Sequence, residues 1–431
     1  MQRERTMKDS GIPWIGEIPE GWSIDTIGNL YALRNEKVSD KDYPPLSVTK
    51  QGIVPQLETA AKTDDGDNRK LVKVGDFAIN SRSDRRGSCG ISAYDGSVSL
   101  INTVITPREQ MNPCFYNWLF HSELFADEFY KWGHGIVDDL WTTRWQEMKR
   151  IGIITPPLAE QHLIATFLDK KCSEIDSLIE LQEQMIEELK AYKQSVITEA
   201  VTKGIRNEEL GVRNYKDSGI EWIGDVPEEW EVCRIRNLGI TQNGISKGGE
   251  FFGEGEPFIS YSDVYKNIEL PQIASGLIQS SQEEQDRFSV CKGDVFFTRT
   301  SETIEEIGFS STCTKTIEKA VYAGFLIRFR PKQGVLNDGY SKYYFRSDVH
   351  RVYFVKEMNI VTRASLSQDL LKSLVVLLPP ISEQQAIADY LDKKCGEIDE
   401  LITIKQQKIE SLKEYKKSVI YEYVTGKREV E

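Results

Sequence analysis

A block of 49 residues occurs twice in this chain, and this duplication restricts the possible folds more than any other feature. The stretch at 156–204 begins PPLAEQHLIATFLDKKCSEIDSLI, and the stretch at 379–427 begins PPISEQQAIADYLDKKCGEIDELI. The two stretches align without a gap, and 29 of the 49 positions are identical. The second copy is therefore expected to form the same structure as the first.

Each copy is predicted to form one long helix. Pro157 and Pro380 fix the chain just before the helix starts, and the next Gly or Pro after Pro157 is Gly204. A helix of about 40 residues would be roughly 60 Å long. Apolar residues recur at seven-residue spacing, with Cys172, Leu178, Met185 and Tyr192 among them in the first copy. The predicted interface residues are Leu168, Ile175, Ile179, Ile186, Leu189 and Val196 in the first copy and Leu391, Ile398, Ile402, Ile409, Leu412 and Val419 in the second.

The apolar stripe needs a partner, because the opposite face of the helix is charged and a lone helix would leave its stripe in water. The second copy carries the matching stripe, which predicts a two-stranded coiled coil within one chain. Gln182 and Lys405 interrupt the stripe at matching points and could set register. The alternative is two separate amphipathic helices, each packed on its own globular domain.

Length and composition indicate a folded protein of two or three domains, since 431 residues with 39% hydrophobic content can form several cores. The seven cysteines include no CxxC pair, so neither a disulfide framework nor a zinc site is expected. The start, MQRERTMKDSG, has no apolar leader, and no stretch approaches 18 consecutive apolar residues. We therefore expect a cytoplasmic protein without a membrane span.

The net charge of -13 argues at first against a nucleic-acid partner, but binding depends on local charge. Residues 69–86 carry six Lys and Arg against two Asp, a net charge of +4. Residues 313–363 carry ten Lys and Arg against four acidic residues, a net charge of +6. The two basic clusters favour binding of an acidic partner, and ordinary solvated surface is the alternative.

The repeat extends beyond the helices. MKDSGIPWIGEIPEGW at 7–22 recurs as YKDSGIEWIGDVPEEW at 215–230, and GDFAINSR at 75–82 resembles GDVFFTRT at 293–300. Short strands, Gly-rich turns and aromatic segments between these blocks predict compact α+β domains. The predicted order is a globular domain at 1–157, a long helix at 158–206, a second globular domain at 207–380 and a second long helix at 381–431. The second helix is expected to end near the first KDSG block.

No pattern for catalysis occurs. The sequence has only four histidines and no HExxH motif, no GxxxxGK[ST] loop and no GxSxG elbow. The Gly-rich run NGISKGGEFFGEGEPF at 243–258 fits no dinucleotide fingerprint and is typical of a surface loop. We therefore expect a non-catalytic chain with no metal site.

Binding chemistry is better represented, because arginines in a polar loop can reach phosphates or the O6 and N7 atoms of guanine. The loop SRSDRRGS at 81–88 is of this type, and plain surface side chains are the alternative. The candidate DNA-contact residues are Arg69, Lys70, Asn80, Ser81, Arg82, Arg85, Arg86 and Arg144 in the first domain and Thr298, Arg299, Lys315, Lys319 and Arg363 in the second.

The doubled PPLAEQ and PPISEQ helix starts, the doubled KDSGIxWIG blocks and the order domain, helix, domain, helix resemble the DNA-specificity subunit of type I restriction-modification systems. The resemblance covers nearly the whole chain. It implies two α+β target-recognition domains, each for one half of a bipartite site, and an antiparallel pair of long helices between them that acts as a ruler. It also implies an internal pseudo-twofold repeat.

The same resemblance implies the partners. They are double-stranded DNA and two copies of an adenine-methylating subunit, which binds S-adenosylmethionine. Two copies of an ATP- and Mg-dependent translocase and nuclease subunit can be added. No cofactor and no catalytic residue are implied for this chain itself. The acidic helical faces are the expected meeting point with the methylating subunit.

Several alternatives stay open at this point. The chain could serve a methyltransferase that has no nuclease, or it could be a coiled-coil scaffold that joins proteins without reading DNA. Glu160 and Gln161, with Glu383 and Gln384, could cap the long helices or bind a partner subunit.

Overall fold

The computed structural model describes residues 5–56, 66–135, 141–205, 213–301, 307–357 and 364–430. The chain forms two compact units. Unit 1 consists of Met1–Glu183 together with Gln406–Glu431, and unit 2 consists of Gln184–Lys405. Each unit thus contains a globular part and a portion of both long helices. The predicted division at 157, 206 and 380 stays a prediction, because these units cut both helices.

Unit 1 has a four-stranded antiparallel sheet with the order β10-β9-β12-β4 and a three-stranded sheet with the order β11-β8-β5. Two-stranded pairs β1-β2, β13-β3 and β6-β7 complete it. Its strands are β1 Met7–Asp9, β2 Glu17–Pro19, β3 Ser23–Thr26, β4 Tyr31–Leu33, β5 Lys37–Val38, β6 Leu46–Thr49, β7 Gly52–Pro55, β8 Arg69–Val72, β9 Phe77–Asn80, β10 Cys89–Ile91, β11 Gly96–Val98, β12 Asn102–Pro107 and β13 Gly152–Thr155. Its helices are α1 Ile27–Leu30, α2 Pro113–His121, α3 Glu123–Lys131, α4 Trp145–Met148 and the first part of α5 Leu158–Lys203.

Unit 2 repeats this plan with the order β22-β20-β24-β17 in its four-stranded antiparallel sheet. A three-stranded sheet β19-β18-β23 and the pairs β14-β15, β16-β26 and β21-β25 accompany it. Its strands are β14 Tyr215–Asp217, β15 Asp225–Pro227, β16 Glu231–Arg234, β17 Gly239–Asn243, β18 Phe252–Ile259, β19 Gly276–Ile278, β20 Val295–Thr298, β21 Thr300–Ser301, β22 Ser310–Thr312, β23 Val321–Tyr322, β24 Leu326–Pro331, β25 Ala364–Ser365 and β26 Val375–Leu378. Its helices are α6 Ile235–Leu238, α7 Tyr261–Lys266, α8 Gln282–Arg287, α9 Asp338–Tyr344, α10 Val349–Glu357, α11 Gln368–Ser373 and the first part of α12 Ile381–Val424.

The core of unit 1 is largely aromatic. Helix α2 starts at Pro113 with Asn112 as its cap, and its residues Phe115, Leu119 and Phe120 lie at helical spacing and are buried. Strand β9 is buried along its whole length, as expected for a central strand with both faces covered. The core of unit 2 has the matching parts, built on the fully buried strand β20 and the tyrosines of helix α9.

The long helices pair with each other in an antiparallel direction inside each unit, which confirms the predicted fold class. In unit 1, the Phe167 ring packs on the Tyr423 ring at a centroid distance of 4.3 Å, and Lys416 Nζ lies 2.6 Å from an Asp176 oxygen. In unit 2, Lys193 Nζ lies 2.7 Å from an Asp399 oxygen. Residue numbers rise along one helix as they fall along the other.

The helix ends also belong to the domain cores. Leu168 packs in the unit 1 core with Val419, and Leu391 packs in the unit 2 core with Val196. The remaining predicted interface residues are buried or half-buried: Ile175, Ile179, Ile186, Leu189, Ile398, Ile402, Ile409 and Leu412. Leu178 and Tyr192, placed beside the stripe by the heptad pattern, are instead exposed. Their side chains point away from the paired face.

The second long helix ends beside the first KDSG block, as expected. Lys427 Nζ donates a hydrogen bond of 3.1 Å to the Ile15 carbonyl. Tyr421 donates its hydroxyl to the same carbonyl at 3.3 Å. The C-terminal turn of the chain is thus bonded to an N-terminal segment of the same unit.

Candidate nucleic-acid interface

The GD motif fixes the start of the central strand in each unit. In unit 1, Arg34 donates to both carboxylate oxygens of Asp76 at 2.5 and 3.1 Å, and the backbone N–H of Lys73 donates to Asp76 at 2.8 Å. The hydrogen bond to Asp76 raises the pKa of Arg34. In unit 2, Arg330 donates twice to Asp294 at 2.6 Å. An arginine bonded to the aspartate thus fixes the start of the central strand in each unit.

We call the far end of strand β9 the strand exit of unit 1, comprising 80–86 and 142–144. The backbone of Ser81 accepts a hydrogen bond from the N–H of Thr143 at 2.9 Å, and Ser83 N–H donates to the Trp141 carbonyl at 2.9 Å. Arg82 forms a β-bridge with Thr142. These bonds bring the distant residue Arg144 beside the arginine loop.

The strand exit of unit 1 presents an excess of positive charge. Arg82 and Arg85 lie 3.8 and 3.7 Å from Asp84, and Arg86 pairs with Asp127. All of these side chains are at least one-third exposed, so the ion pairs contribute only about 0–1 kcal/mol each. The guanidinium groups can therefore exchange these partners for phosphate or base atoms at little cost.

Other candidates of unit 1 are engaged inside the fold. Arg69 is 3% exposed, and its guanidinium donates to the Ser97 hydroxyl at 2.8 Å and carbonyl at 3.0 Å. Burial lowers its pKa. Lys70 is half-buried, donates to the Asn102 carbonyl at 2.6 Å, and has its pKa lowered by burial. Ser81 is buried and bonded to the Thr103 hydroxyl at 2.9 Å, and Asn80 is buried with its side-chain oxygen on the Arg82 N–H.

The strand exit of unit 2 comprises 298–301 and 365–367, and it is built in the same way. Thr298 is buried, and the next residue, Arg299, accepts a backbone hydrogen bond from Leu366 N–H at 2.7 Å. Strand β21 then pairs with β25 through Thr300 and Ser365. Among the residues that the structure describes, the half-buried Arg299 guanidinium has no hydrogen-bond or ion-pair partner.

The other candidates of unit 2 do not join Arg299. Lys315 and Lys319 follow strand β22, whose Thr312 lies opposite Val295, at the start of β20. They therefore lie at the opposite end of the strand from Arg299. Lys319 has a φ of 57° and pairs with Glu256 at 3.5 Å. The predicted contact Arg363 lies outside the described residues.

A second arrangement joins each domain to the start of its long helix, and we call it the helix clamp. In unit 1, Trp22 Nε1 donates to Glu160 at 2.9 Å, and Arg5 pairs with Glu160 while lying 5.6 Å from the Trp22 ring centre. In unit 2, Trp230 Nε1 donates to Glu383 at 3.0 Å. Arg213 completes this clamp, with bonds of 2.6 and 2.9 Å to Glu383 and a distance of 5.6 Å to the Trp230 ring centre.

The glutamine that follows the clamp glutamate binds the domain as well. The Gln161 side chain accepts the Asn112 N–H at 2.9 Å and donates to the Pro156 carbonyl at 2.8 Å. Gln384 makes the same pair of bonds, with the Asn337 N–H at 2.8 Å and the Pro379 carbonyl at 2.9 Å. The Glu-Gln pair that opens each helix thus attaches the helix to its domain. Sequence reasoning missed the partners Trp22 and Trp230, although both stand in blocks that occur twice.

The described part of the chain contains no group of three or more His, Cys, Asp or Glu side chains placed to hold a metal ion. Among the described helices, none has the length and apolar character needed to cross a membrane.

Known proteins are similar to this chain in sequence and in fold. The model of the type I restriction modification DNA specificity domain matches residues 227–414. The putative type I restriction enzyme MjaX specificity subunit of Methanocaldococcus jannaschii is 24% identical, over 96% of this chain and 95% of that protein. The EcoKI specificity subunit of Escherichia coli K12 is 26% identical, over 86% and 82%.

Two solved structures have a similar fold. A chain from a study of complex assembly and conformational transition in the type I R-M system matches with a TM-score of 0.74 and 14% identity, over 95% of this chain and 99% of that chain. The HsdS subunit of Thermoanaerobacter tengcongensis matches with a TM-score of 0.56 and 16% identity, over 95% and 98%. The chain is therefore similar in sequence to type I restriction enzyme specificity subunits over most of its length, and it has the fold of the HsdS subunit.

Proposed function

We propose that this chain is the DNA-specificity subunit of a type I restriction-modification system, and that each of its globular domains recognises one half of a bipartite, asymmetric DNA site. The long helices set the spacing of the half-sites and dock the methyltransferase subunits. In this proposal the chain itself is non-catalytic, acts in the cytoplasm and binds no cofactor. Coiled-coil scaffolding without DNA recognition is the competing function.

One observation carries the proposal: the two units share a framework but differ in what their strand exits expose. The strand exit of unit 1 presents Arg82, Arg85, Arg86 and Arg144. Within the described residues, the strand exit of unit 2 presents a single arginine, Arg299. Two different surfaces on one repeated framework suit two different half-sites. The expected site is therefore asymmetric and not palindromic.

The chemistry of the exits suits duplex DNA. An arginine side chain can bond bidentately to the O6 and N7 atoms of guanine in the major groove, or to backbone phosphates. The phosphate contacts give affinity that falls steeply with salt, and the base contacts give sequence discrimination. Because the exit ion pairs are exposed and weak, the arginines need little reorganisation to take up either role.

The long helices offer a repeated surface for partner subunits. Six of their exposed large apolar residues form three pairs related by the helix repeat. These pairs are Leu178 and Leu401, Leu181 and Ile404, and Tyr192 and Tyr415. We propose that two methyltransferase subunits, which supply S-adenosylmethionine, dock on these helices. Two restriction subunits, which supply ATP and Mg, join in complexes that also cleave DNA.

Mapping N6-methyladenine across the genome tests the proposal. Cells carrying this gene with its neighbours should show a split, asymmetric methylation motif that disappears when the gene is deleted. If no motif depends on the gene and the purified complex does not bind duplex DNA in a salt-sensitive way, the scaffold function replaces this proposal.

A further inference from the structure

Each unit exposes apolar side chains on a tight turn beside its strand exit. We call these the apolar turns, Ser99–Asn102 in unit 1 and Ala323–Leu326 in unit 2. In each turn the last N–H donates to the first carbonyl at 3.0 Å. Leu100 and Ile101 are 40% and 42% exposed, and Phe325 is 64% exposed.

The composition of these turns is unusual. Tight turns are normally made of Gly, Pro, Asn, Asp and Ser, which adopt the required backbone angles or bond to their own backbone. The unit 1 turn has Leu and Ile at its two central positions, and the unit 2 turn has Gly and Phe. Ile101 and Phe325 do not stabilise a tight turn, so we infer that their side chains have a role in binding.

The apolar turns lie directly against the strand exits. In unit 1, Asn102 pairs with Asn80, and the Ile101 carbonyl then accepts the Ser81 N–H at 3.2 Å. In unit 2, Leu326 pairs with Thr298, and the Phe325 carbonyl accepts the Arg299 N–H at 2.9 Å. Ile101 and Phe325 thus occupy the same place in the two units.

The backbone of the unit 2 turn cannot easily collapse to bury Phe325. Ala323 forms a parallel β-bridge with Ile245 and donates its N–H to the Ile259 carbonyl at 3.0 Å. A Cβ atom at Gly324 would lie 2.3 Å from the Ser246 hydroxyl. Because the turn is held on both sides, the Phe325 ring stays at the surface until a partner covers it.

Positive charge accompanies each apolar turn. In unit 1, the Ile101 carbonyl bonds to the N–H of Ser81, the residue before Arg82, and in unit 2 the Phe325 carbonyl bonds to the N–H of Arg299. A cation beside a rigid apolar side chain matches the chemistry of a DNA groove, where phosphates flank base edges that include the thymine methyl group. This combination favours duplex DNA over a purely apolar partner.

We propose that Ile101 and Phe325 contact base edges in the DNA, one in each half-site, and discriminate thymine through its 5-methyl group. The inference rests on the proposed function, because it assigns specificity-determining residues to the two recognition domains. A branched aliphatic side chain in one unit and an aromatic ring in the other present different shapes to the bases. The two turns would therefore favour different positions or neighbours within their half-sites.

The test uses the full-length protein assembled with its methyltransferase partners. Ile101→Ser and Phe325→Ser remove the apolar contacts, and Phe325→Leu retains one. Two exposed apolar residues elsewhere on the same sheets serve as matched controls: Leu33→Ser, at 36% exposure opposite Ile105, and Ile240→Ser, at 62% exposure opposite Arg330. Methylation is measured on a library of sites and on DNA with single thymine-to-uracil changes, which delete only the 5-methyl group.

We expect Phe325→Ser to relax base preference in one half-site only, and Ile101→Ser to relax it in the other. At the affected position, uracil should slow the unaltered complex about fourfold, the factor typical of one buried methyl group. The same change should not slow the matching Ser variant further. Phe325→Leu should keep most of the preference, and both control variants should behave as the unaltered complex does.

Unchanged base preference in both Ser variants would overturn the inference, as would relaxed preference in the controls. Loss of methyltransferase subunits from the Ser variants in size-exclusion chromatography would also overturn it, because the turns would then bind protein. If the unaltered complex shows no sequence-selective methylation or DNA binding, the proposed function itself fails. That result is distinct from a failure of the turn assignment.

Discussion

The helix clamp and the strand exit are both repeated in this chain, but only the helix clamp keeps the same residues in both units. Glu160 and Glu383 each bind a tryptophan N–H and an arginine with nearly the same geometry. At the strand exits, Ser81 in unit 1 is replaced by Arg299 in unit 2. Groups that satisfy one another inside the fold allow few substitutions, whereas groups that face solvent are free to differ.

We therefore assign attachment of the long helices to the helix clamps and DNA recognition to the strand exits. Substitutions in the helix clamp should change stability and assembly in either unit. Substitutions in a strand exit should change DNA recognition without changing stability.

Lengthening both long helices leaves the helix clamps and strand exits intact and changes only the spacing between half-sites. Inserting one heptad into each helix adds roughly 10 Å, which corresponds to about three base pairs. We expect methylation at the original site to be lost and to reappear at sites whose central gap is longer by about that amount. Methylation mapping of both proteins measures this, and an unchanged gap would exclude the helices as the ruler.

Removing the arginines of the unit 1 strand exit should weaken DNA binding strongly. We expect Arg82→Ala, Arg85→Ala and Arg86→Ala together to lower the affinity of the assembled complex about a hundredfold. The slope of log affinity against log salt should fall by roughly three if all three side chains bind phosphates. Fluorescence anisotropy over a salt series measures both quantities.

The matched control replaces the same three residues with lysine, which keeps the charge but loses the bidentate geometry. This variant should retain the salt dependence and lose discrimination among sites. If the alanine variant binds DNA as tightly as the unaltered complex, the strand exit of unit 1 does not belong to the DNA interface.

Substitutions in the helix clamp should lower the free energy of unfolding and leave base recognition unchanged. Glu160→Ala leaves the Trp22 N–H and the Arg5 guanidinium without their acceptor, so we expect a loss of about 2 kcal/mol in the free energy of unfolding of unit 1. Glu383→Ala should cost a similar amount in unit 2. Denaturant unfolding followed by tryptophan fluorescence measures the change. Glu17→Ala, an exposed residue of β2, is the control and should have almost no effect.

The stability of unit 1 should depend weakly on pH. His121 in unit 1 and Arg346 in unit 2 both stand before a serine that caps a helix end, Ser122 and Ser347. Burial lowers the pKa of His121 from its usual 6.5. The unfolded chain therefore binds a proton more readily than the folded unit, and stability should fall as pH drops below about 6.5.

Hydrogen exchange in helix α2, compared at about pH 8 and about pH 5.5, measures this loss. His121→Gln cannot take up the proton and should show a smaller difference between the two pH values. The buried His350 ring packs on Tyr344 at the end of helix α9, so the comparison with unit 2 uses a His350→Gln background. In that background, helix α9 should not share the pH dependence of helix α2. A loss of protection as large in His121→Gln as in the unaltered chain would assign the pH effect to other groups.

Much of the architecture could be predicted because its signals are long and repeated. Helix α5 begins at Leu158 and helix α12 at Ile381, each directly after the proline pair that opens its repeat. Pairing between the helices could be predicted because each apolar stripe must be buried against a partner. Periodicity over many turns averages out local irregularities.

The candidate site was harder to predict, because exposure depends on contacts far along the chain. The Arg69 guanidinium bonds to Ser97, which a basic cluster in the sequence does not reveal. Lys315 and Arg299 are both candidate contacts of the second domain, but they lie at opposite ends of strand β20. The apolar turns look like the beginnings of buried strands in the sequence. Only the register of β12 and β24 places Ile101 and Phe325 at the surface.

The division of the chain into units has a consequence for how the protein is made on the ribosome. Unit 2 is a continuous segment, Gln184–Lys405, so all of its residues are available before synthesis ends. Unit 1 needs Gln406–Glu431, and its core includes Val419, Tyr423 and Val424. The domain that is translated first is therefore the last to be completed. A chain that stops short of its final helical turns would carry a finished second domain and an open first one.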